Sequence, residues 1–233
     1  MALPVPAAWW QWTAVVLTVP YFPVIAALLV GVRRLPRSVR LENAACVPVS
    51  VIVSARNEAR DLPRCIAALL ALDYPAGKLQ VILVDDRSDD ATGAIVDAAA
   101  ARHPHVVALH TADLPANGLE AKARGVAHGF TRATGEWVFV TDADAAVHPL
   151  WIRHMLGRAT PRTGMMGGTV VVDAEGAIGT IERISWGYTQ LFSLGIAGWG
   201  LPFVCLGPNM AIRRSGYVEA GGLERATFRV AED

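Results

Sequence analysis

The chain is poor in cysteine and carries no excess charge of either sign. Its three cysteines, Cys46, Cys65 and Cys205, are odd in number and far apart. That excludes a disulfide framework or paired-cysteine zinc site and fits reduced, cytosolic surroundings. Lys and Arg number 21 against 21 Asp and Glu, so the basic excess that a nucleic-acid footprint needs is missing. No GxGxxG or GxxxxGK loop occurs, which disfavours a dinucleotide fold and a P-loop. Charge is also absent from a whole segment: residues 5 to 32, VPAAWWQWTAVVLTVPYFPVIAALLVGV, hold none.

That segment exceeds the roughly 20 residues that span a bilayer. Trp9, Trp10 and Trp12 stand where an interfacial aromatic belt would lie, and Arg33, Arg34, Arg37 and Arg40 follow the apolar run. The basic flank predicts one N-terminal transmembrane helix with everything after Arg33 in the cytoplasm, a single-pass anchor in the cell (inner) membrane. A cleavable signal peptide would carry its basic residues before the apolar stretch. Pro20 and Pro23 predict a kink, which lipid tolerates. The 53% hydrophobic content and mean hydropathy of +0.35 agree with membrane contact. The expected organisation is an anchor over 1–34, a basic linker over 35–46 and one domain over 47–233.

From residue 47 short apolar runs alternate with helical periods, the pattern of βαβ units and a mostly parallel sheet with flanking helices, an α/β fold. VPVSVIVSA (47–55), LQVILVDD (79–86), VVALH (106–110) and EWVFVTDAD (136–144) read as strands. Between them, Asp61 is placed to cap a helix carrying Leu62, Ile66, Leu69 and Leu70 on one face. Ser88 or Asp89 is placed to cap an Ala-rich helix reaching about Arg102, and Leu119, Val126 and Phe130 mark the buried stripe of the next.

Polar residues gather where three of these strands end: SARNE (54–58), DDRSDD (85–90) and DAD (142–144). In open α/β sheets ligands bind outside the carboxyl ends of the strands, so the three clusters are expected to face one site. Asp142 and Asp144 admit two readings. One is an Asx turn or helix cap at a strand end. The other is a shared divalent cation, which oxygen ligands would select as Mg²⁺ or Mn²⁺ with a diphosphate as its natural guest. Lys122, in the first turn of its helix, is either a solvated surface charge or a group meeting a phosphate gathered at the helix N-terminus. His148 is the histidine nearest the pair and a possible third ligand, although loop histidines are usually solvated.

Five stretches in order, VSVIVSARNE, VILVDDRSDD, AKARGVAHGFTRATGEWVFVTDADA, GPNMAIRRSGYVEAGGL and the terminal ED, are spread over residues 49 to 233, about four fifths of the chain. Together they resemble the inverting glycosyltransferases of family 2, which have a GT-A fold. The resemblance implies that Ser54, Glu58 and Asp86 contact the base and ribose of a nucleotide-diphosphate sugar. It makes Asp142 and Asp144 the DxD pair, with Asp144 on the metal and Asp142 nearer the sugar or ribose, and sets Lys122 on the diphosphate or the DxD loop. It further implies Gly207, Asn209 and Glu232 on the acceptor side and Asp233 as the base that deprotonates an acceptor hydroxyl. The sequence departs from the family in lacking a proline before Ala55 and in ending at ED, where relatives continue, so the domain is expected to be incomplete at its C-terminus. Residues 184 to 206, ISWGYTQLFSLGIAGWGLPFVCL, also lack charge. A second span there would strand GPNMAIRR across the membrane from the DxD loop, and its four glycines would weaken a helix. The resemblance makes it instead a helix and loop beside the acceptor, near the bilayer, where Trp186, Trp199 and Phe203 would suit a lipid-linked hydroxyl acceptor. Two other readings of the acidic clusters, a haloacid-dehalogenase-like phosphatase and an Mg²⁺-binding phospho-receiver module, each need their acidic strand first in the domain, which it is not.

Overall fold

The structure, a computed structural model, describes residues 9–37, 39–75, 77–201, 205 and 207–225. The chain divides into two compact units, Met1–Arg37 with Val171–Val204, and Ser38–Val170 with Cys205–Asp233.

The second unit holds a six-stranded sheet in the order β3-β2-β1-β4-β6-β5. Strands β1 (Val49–Ala55), β2 (Leu79–Asp85), β3 (Val106–His110) and β4 (Trp137–Asp142) are parallel, while β6 (Met210–Arg213) runs antiparallel between β4 and β5 (Met165–Gly167). The apolar runs become strands because they are buried on both faces. Val51 and Val53 enter one core with Leu62, Leu69, Phe139 and Trp151, and Ile52 enters the other with Val84, Val126, Phe130 and Val140. Helices α3 (Leu62–Leu70), α4 (Thr92–Arg102) and α5 (Ala121–Arg132) make the crossovers, and α6 (Trp151–Leu156) and α8 (Arg214–Ala220) follow β4 and β6.

Helix α5 lies unusually tight on the sheet. A Cβ at Gly125 would stand 2.1 Å from Ser54 Oγ, and one at Gly129 would stand 2.6 Å from Ile52 Cγ2. One helical turn apart, the two glycines let the helix backbone settle on β1. The first turn of α5 is thereby brought to the carboxyl ends of the strands.

Two expectations about helix starts need correction. The Ala-rich helix has Ala91 at its N-cap position, and the carboxylate that accepts the Thr92 N–H is Asp90 Oδ1 at 2.9 Å, neither Ser88 nor Asp89. Leu119 lies outside α5, because Glu120 is extended (φ −119°, ψ 160°) and helical geometry begins at Ala121. Asp61 does occupy the N-cap of α3, but its side chain makes no capping bond.

In the first unit, helices α1 (Trp9–Thr18) and α2 (Tyr21–Arg34) are separated by a turn at Val19 and Pro20, the kink expected of the apolar segment. Trp9–Arg34 is, among the described residues, the one helical segment long and apolar enough to cross a membrane. Helix α7 (Gly176–Gly198) starts upstream of the charge-free run and includes Glu182 and Arg183. It runs in the same direction as α2: Tyr21 stacks on Tyr188 at 6.5 Å, and the Arg34 guanidinium lies 4.3 Å from the Trp199 ring. Trp199 Nε1 donates to Ala27 O at 2.9 Å between these points. A Cβ on Gly31 would meet Gly195 O at 2.0 Å, a close backbone approach that only residues without a side chain permit.

Candidate functional site

Strand register brings the three acidic clusters to one level. Ser54 pairs with Val84 on one side and with Asp142 on the other, and Ala55 pairs with Asp85. The loops after β1, β2 and β4 therefore leave the sheet side by side, as the strand-end rule requires.

The first two loops are stitched together by side chains. The Asn57 N–H donates to Ser88 Oγ at 3.0 Å, the Glu58 N–H to Thr92 Oγ1 at 2.8 Å and the Ala59 N–H to Asp90 Oδ2 at 3.1 Å. Returning the contact, the Asp89 N–H donates to Asn57 Oδ1 at 2.8 Å. Asn57 (φ 57°) and Arg87 (φ 59°) adopt left-handed backbone to permit this. Much of DDRSDD is thus scaffolding.

Asp85 extends the scaffold to β3. Its Oδ1 accepts the Ser88 N–H at 3.2 Å and its Oδ2 faces His110 Nδ1 at 3.1 Å, while His110 Nε2 faces Asp97 Oδ1 at 3.0 Å. Hydrogen bonds to Asp97 and then Asp85 raise the His110 pKa against the opposing effect of burial. A raised folded-state pKa means the stabilisation is fully present below the unfolded value of about 6.5 and is lost as pH rises through the folded value. The melting-temperature gap between the wild type and His110→Gln should therefore be wider at about pH 6 than at about pH 9. A gap independent of pH would contradict the charged bridge.

Two cations on α5 meet two acidic strand ends. Arg124 Nε and Nη2 donate to Asp86 Oδ1 and Oδ2 at 2.8 and 2.9 Å, and Thr111 Oγ1 donates to Oδ1 at 2.5 Å. Asp86 is 1% exposed, and this bidentate partner satisfies both of its carboxylate oxygens. Two residues nearer the helix start, Lys122 Nζ contacts Asp142 Oδ1. Asp144 is exposed, and its backbone carbonyl accepts from Arg64 Nη2 at 2.5 Å. Glu58 completes the acidic end: burial, then the charges of Asp144, Asp61, Asp142 and Asp90, raise its pKa. Cys65 lies under the loop with Sγ 3.5 Å from Asp142 O. Burial, reinforced by Asp144 and Asp142, pushes its thiol up to about 12, so it is an inert packing group.

Ser54, Glu58, Asp86, Lys122, Asp142 and Asp144 are thus gathered at one end of the sheet. Gly207 joins them, since a Cβ there would stand 3.4 Å from Lys122 Nζ. Asn209 is tied into the framework, its Oδ1 accepting from Trp151 Nε1 and its Nδ2 donating to Thr169 O, each at 2.8 Å. Glu232, Asp233 and Phe203 lie outside the described residues. His148 Nδ1 accepts the Leu150 N–H at 3.1 Å, a turn contact at the start of α6. Sequence reasoning missed Arg124, Thr111 and Trp151. Arg124 could have been found as the second cation of AKARG, two residues from Lys122.

The donor set suits a hard divalent cation that keeps other ligands. Asp142 and Asp144 offer carboxylate oxygens, and no group of three or more His, Cys, Asp or Glu side chains able to hold a metal forms among the described residues. Carboxylate oxygens are the ligands that Mg²⁺ and Mn²⁺ take, often one or two of them together with phosphate and water.

The mixed, mostly parallel sheet with flanking helices and acidic loops at its carboxyl end is a GT-A fold. Residues 50–220 match glycosyl transferase family 2, and the chain belongs to that family. It is similar to the probable glycosyltransferase YdaM of Bacillus subtilis, with 29% identity over 78% of this chain and 44% of that protein. It is also similar to the beta-monoglucosyldiacylglycerol synthase of Trichormus variabilis, with 25% identity over 83% of this chain and 42% of that one. The chain spans less than half the length of these curated relatives. Among solved structures, the mannosyltransferase PcManGT of Pyrobaculum calidifontis in complex with GDP-Man and Mn²⁺ shares the fold. Its TM-score is 0.64 and its identity 24%, covering 90% of this chain and 57% of that one.

Proposed function

We propose that the protein transfers a sugar from a nucleotide-diphosphate sugar to a hydroxyl acceptor with inversion at the anomeric carbon. The observation that carries this reading is the pair of α5 cations, Arg124 on Asp86 and Lys122 on Asp142, at the ends of β2 and β4. In this reading Ser54, Glu58 and Asp86 with its partner Arg124 form the base and ribose side, and Lys122 answers the diphosphate. Asp144, with Asp142, would hold Mg²⁺ or Mn²⁺, which when bound stabilises negative charge on the leaving diphosphate. Asp233 is the base, taking the acceptor proton as the oxygen attacks opposite the diphosphate. Gly207, Asn209 and Glu232 belong to the acceptor side.

The acceptor is proposed to be a lipid or lipid-linked alcohol. The Trichormus relative is named for a glucosyldiacylglycerol product. The unit that contains the apolar Trp9–Arg34 segment also exposes Ile178 (75%), Ile181 (67%) and Ile184 (67%), apolar surface that a bilayer would cover. The membrane is accordingly a partner, with 1–34 as a single-pass anchor in the inner membrane, 35–46 as the basic linker and 47–233 as the cytoplasmic catalytic domain.

A thermal-shift panel of UDP- and GDP-sugars with and without Mn²⁺ tests the reading. A donor at 100 times its dissociation constant should add about 2.7 kcal/mol of stability, and only with the cation present. The absence of a shift with every nucleotide sugar, or phosphorylation by acetyl phosphate, would overturn it.

A further inference from the structure

The loop that carries Asp144 is closed into a ring by a bond far from it in sequence. It leaves β4 at Asp142 and ends at Trp151, the first residue of α6, whose Nε1–H donates to Asn209 Oδ1 at 2.8 Å. Asn209 precedes β6, whose Met210 pairs with Val140 of β4, so the 207–209 segment reaches the sheet just where Asp142 leaves it. Gly207 adjoins Lys122 Nζ, and Lys122 contacts Asp142. The circuit runs from Asp142 through the loop to Trp151, across to Asn209, along to Gly207 and back through Lys122.

Each member is held firmly enough to transmit position. The Trp151 ring is 8% exposed and packs edge-to-face on Phe139 of β4 at 5.0 Å. The Asn209 side-chain amide is fixed at its other end by donating to Thr169 O at 2.8 Å, and the Asn209 backbone carbonyl accepts the Gly168 N–H at 2.9 Å. Residue 168 must be glycine, because a Cβ there would fall 2.3 Å from Asn209 Nδ2. Exposed Asp144 sits within this ring, and its carbonyl is tied to α3 through Arg64. Closing a loop at its far end reduces the conformations open to a residue inside it.

We propose that the Trp151–Asn209 hydrogen bond is a clasp that positions Asp144 for its cation, making Trp151 and Asn209 positioning residues for the metal loop. This rests on the donor-site reading above. Asparagine suits the task because one side chain must accept from an indole and donate to a carbonyl at once. Aspartate could not donate, and phenylalanine at 151 would keep the ring while deleting the donor.

The test measures Mn²⁺ affinity by electron paramagnetic resonance in the presence of UDP or GDP, whichever binds the wild type, for Trp151→Phe, Asn209→Ala and the double variant. Loss of an outer partner of a ligand costs about 10- to 100-fold in metal affinity, and a loss near the lower end is expected in each single variant. The double variant should be no worse than Asn209→Ala alone, because both singles remove the Trp151–Asn209 bond and Asn209→Ala also takes the bond to Thr169. Amide exchange over 143–150 should accelerate. Unchanged Mn²⁺ affinity in folded Trp151→Phe, losses that multiply in the double variant, or an Asn209→Ala effect confined to the acceptor KM would each overturn the clasp. A wild type that binds neither nucleotide nor Mn²⁺ would instead overturn the donor-site reading, and unaltered amide exchange in the variants would then remove the clasp as well.

Discussion

Asp144→Ala is expected to abolish Mn²⁺-dependent binding of the donor and to lower sugar transfer by roughly 10³-fold, about 4 kcal/mol, the scale of charge stabilisation that a bound cation supplies to a leaving group. The fold should not suffer. Asp144 is exposed and its structural contact is made by its backbone carbonyl, while the neighbouring Asp142 keeps its Lys122 partner. The substitution therefore separates metal chemistry from stability in a way that Asp142→Ala would not, since that change also leaves the Lys122 ammonium without its carboxylate. The check is a Mn²⁺ titration followed by thermal shift and by transfer rate. The melting temperature without ligand should match the wild type, and the increment from nucleotide plus Mn²⁺ should vanish. A retained increment would remove Asp144 from the metal.

The largest loss of stability is expected from Arg153→Ala. Arg153 is 3% exposed on α6, and its guanidinium is occupied on all sides. Nε donates to Asp73 O at 2.6 Å, Nη1 to Leu41 O at 2.8 Å, and Nη2 to Asn43 Oδ1 at 2.5 Å and Asp73 Oδ1 at 2.9 Å. The same group lies 5.9 Å from the Tyr74 ring centroid. Truncation leaves two backbone carbonyls and the Asn43 amide oxygen without this donor, while the Asp73 carboxylate keeps Arg40 at 2.7 Å. At about 1–3 kcal/mol for each buried group left unsatisfied, the total is about 3–5 kcal/mol. In a domain of this size that is a fall of roughly 10 °C in melting temperature. Arg153→Lys should recover little, because one ammonium cannot span acceptors arranged for a planar fork. A fall of less than about 3 °C on thermal denaturation would contradict this account.

Arg153 also shows where sequence reading stops. Its partners lie 80 to 112 residues away in the chain, and nothing in WIRHML distinguishes an arginine turned into the domain from one turned to water. The strands were legible for the opposite reason. VSVIVSA and LQVILVD are buried almost throughout, and a short run of branched apolar residues between polar turns has few other ways to be satisfied. The gathering of Glu58, Asp86 and Asp142 followed from parallel order alone. Their individual duties did not. Four polar residues in a row after Asp86 offered several equivalent caps for α4, and only the distances show that Ser88 and Asp89 serve Asn57 while Asp90 serves Thr92. Likewise the charge-free run at 184–206 marked apolar surface but not the helix, which begins at Gly176 and carries Glu182 and Arg183.

The stitching of the first two loops has a chemical consequence for the proposed donor. The N–H groups of Asn57, Glu58 and Ala59 point to Ser88, Thr92 and Asp90, so this turn cannot serve as an amide nest for an anion, which is how glycine-rich loops hold phosphate. A pyrophosphate arriving here would find no main-chain cradle at these three residues. In the proposed reading its charge falls to the Lys122 ammonium and the proposed cation, since the backbone donors of this short turn are already engaged.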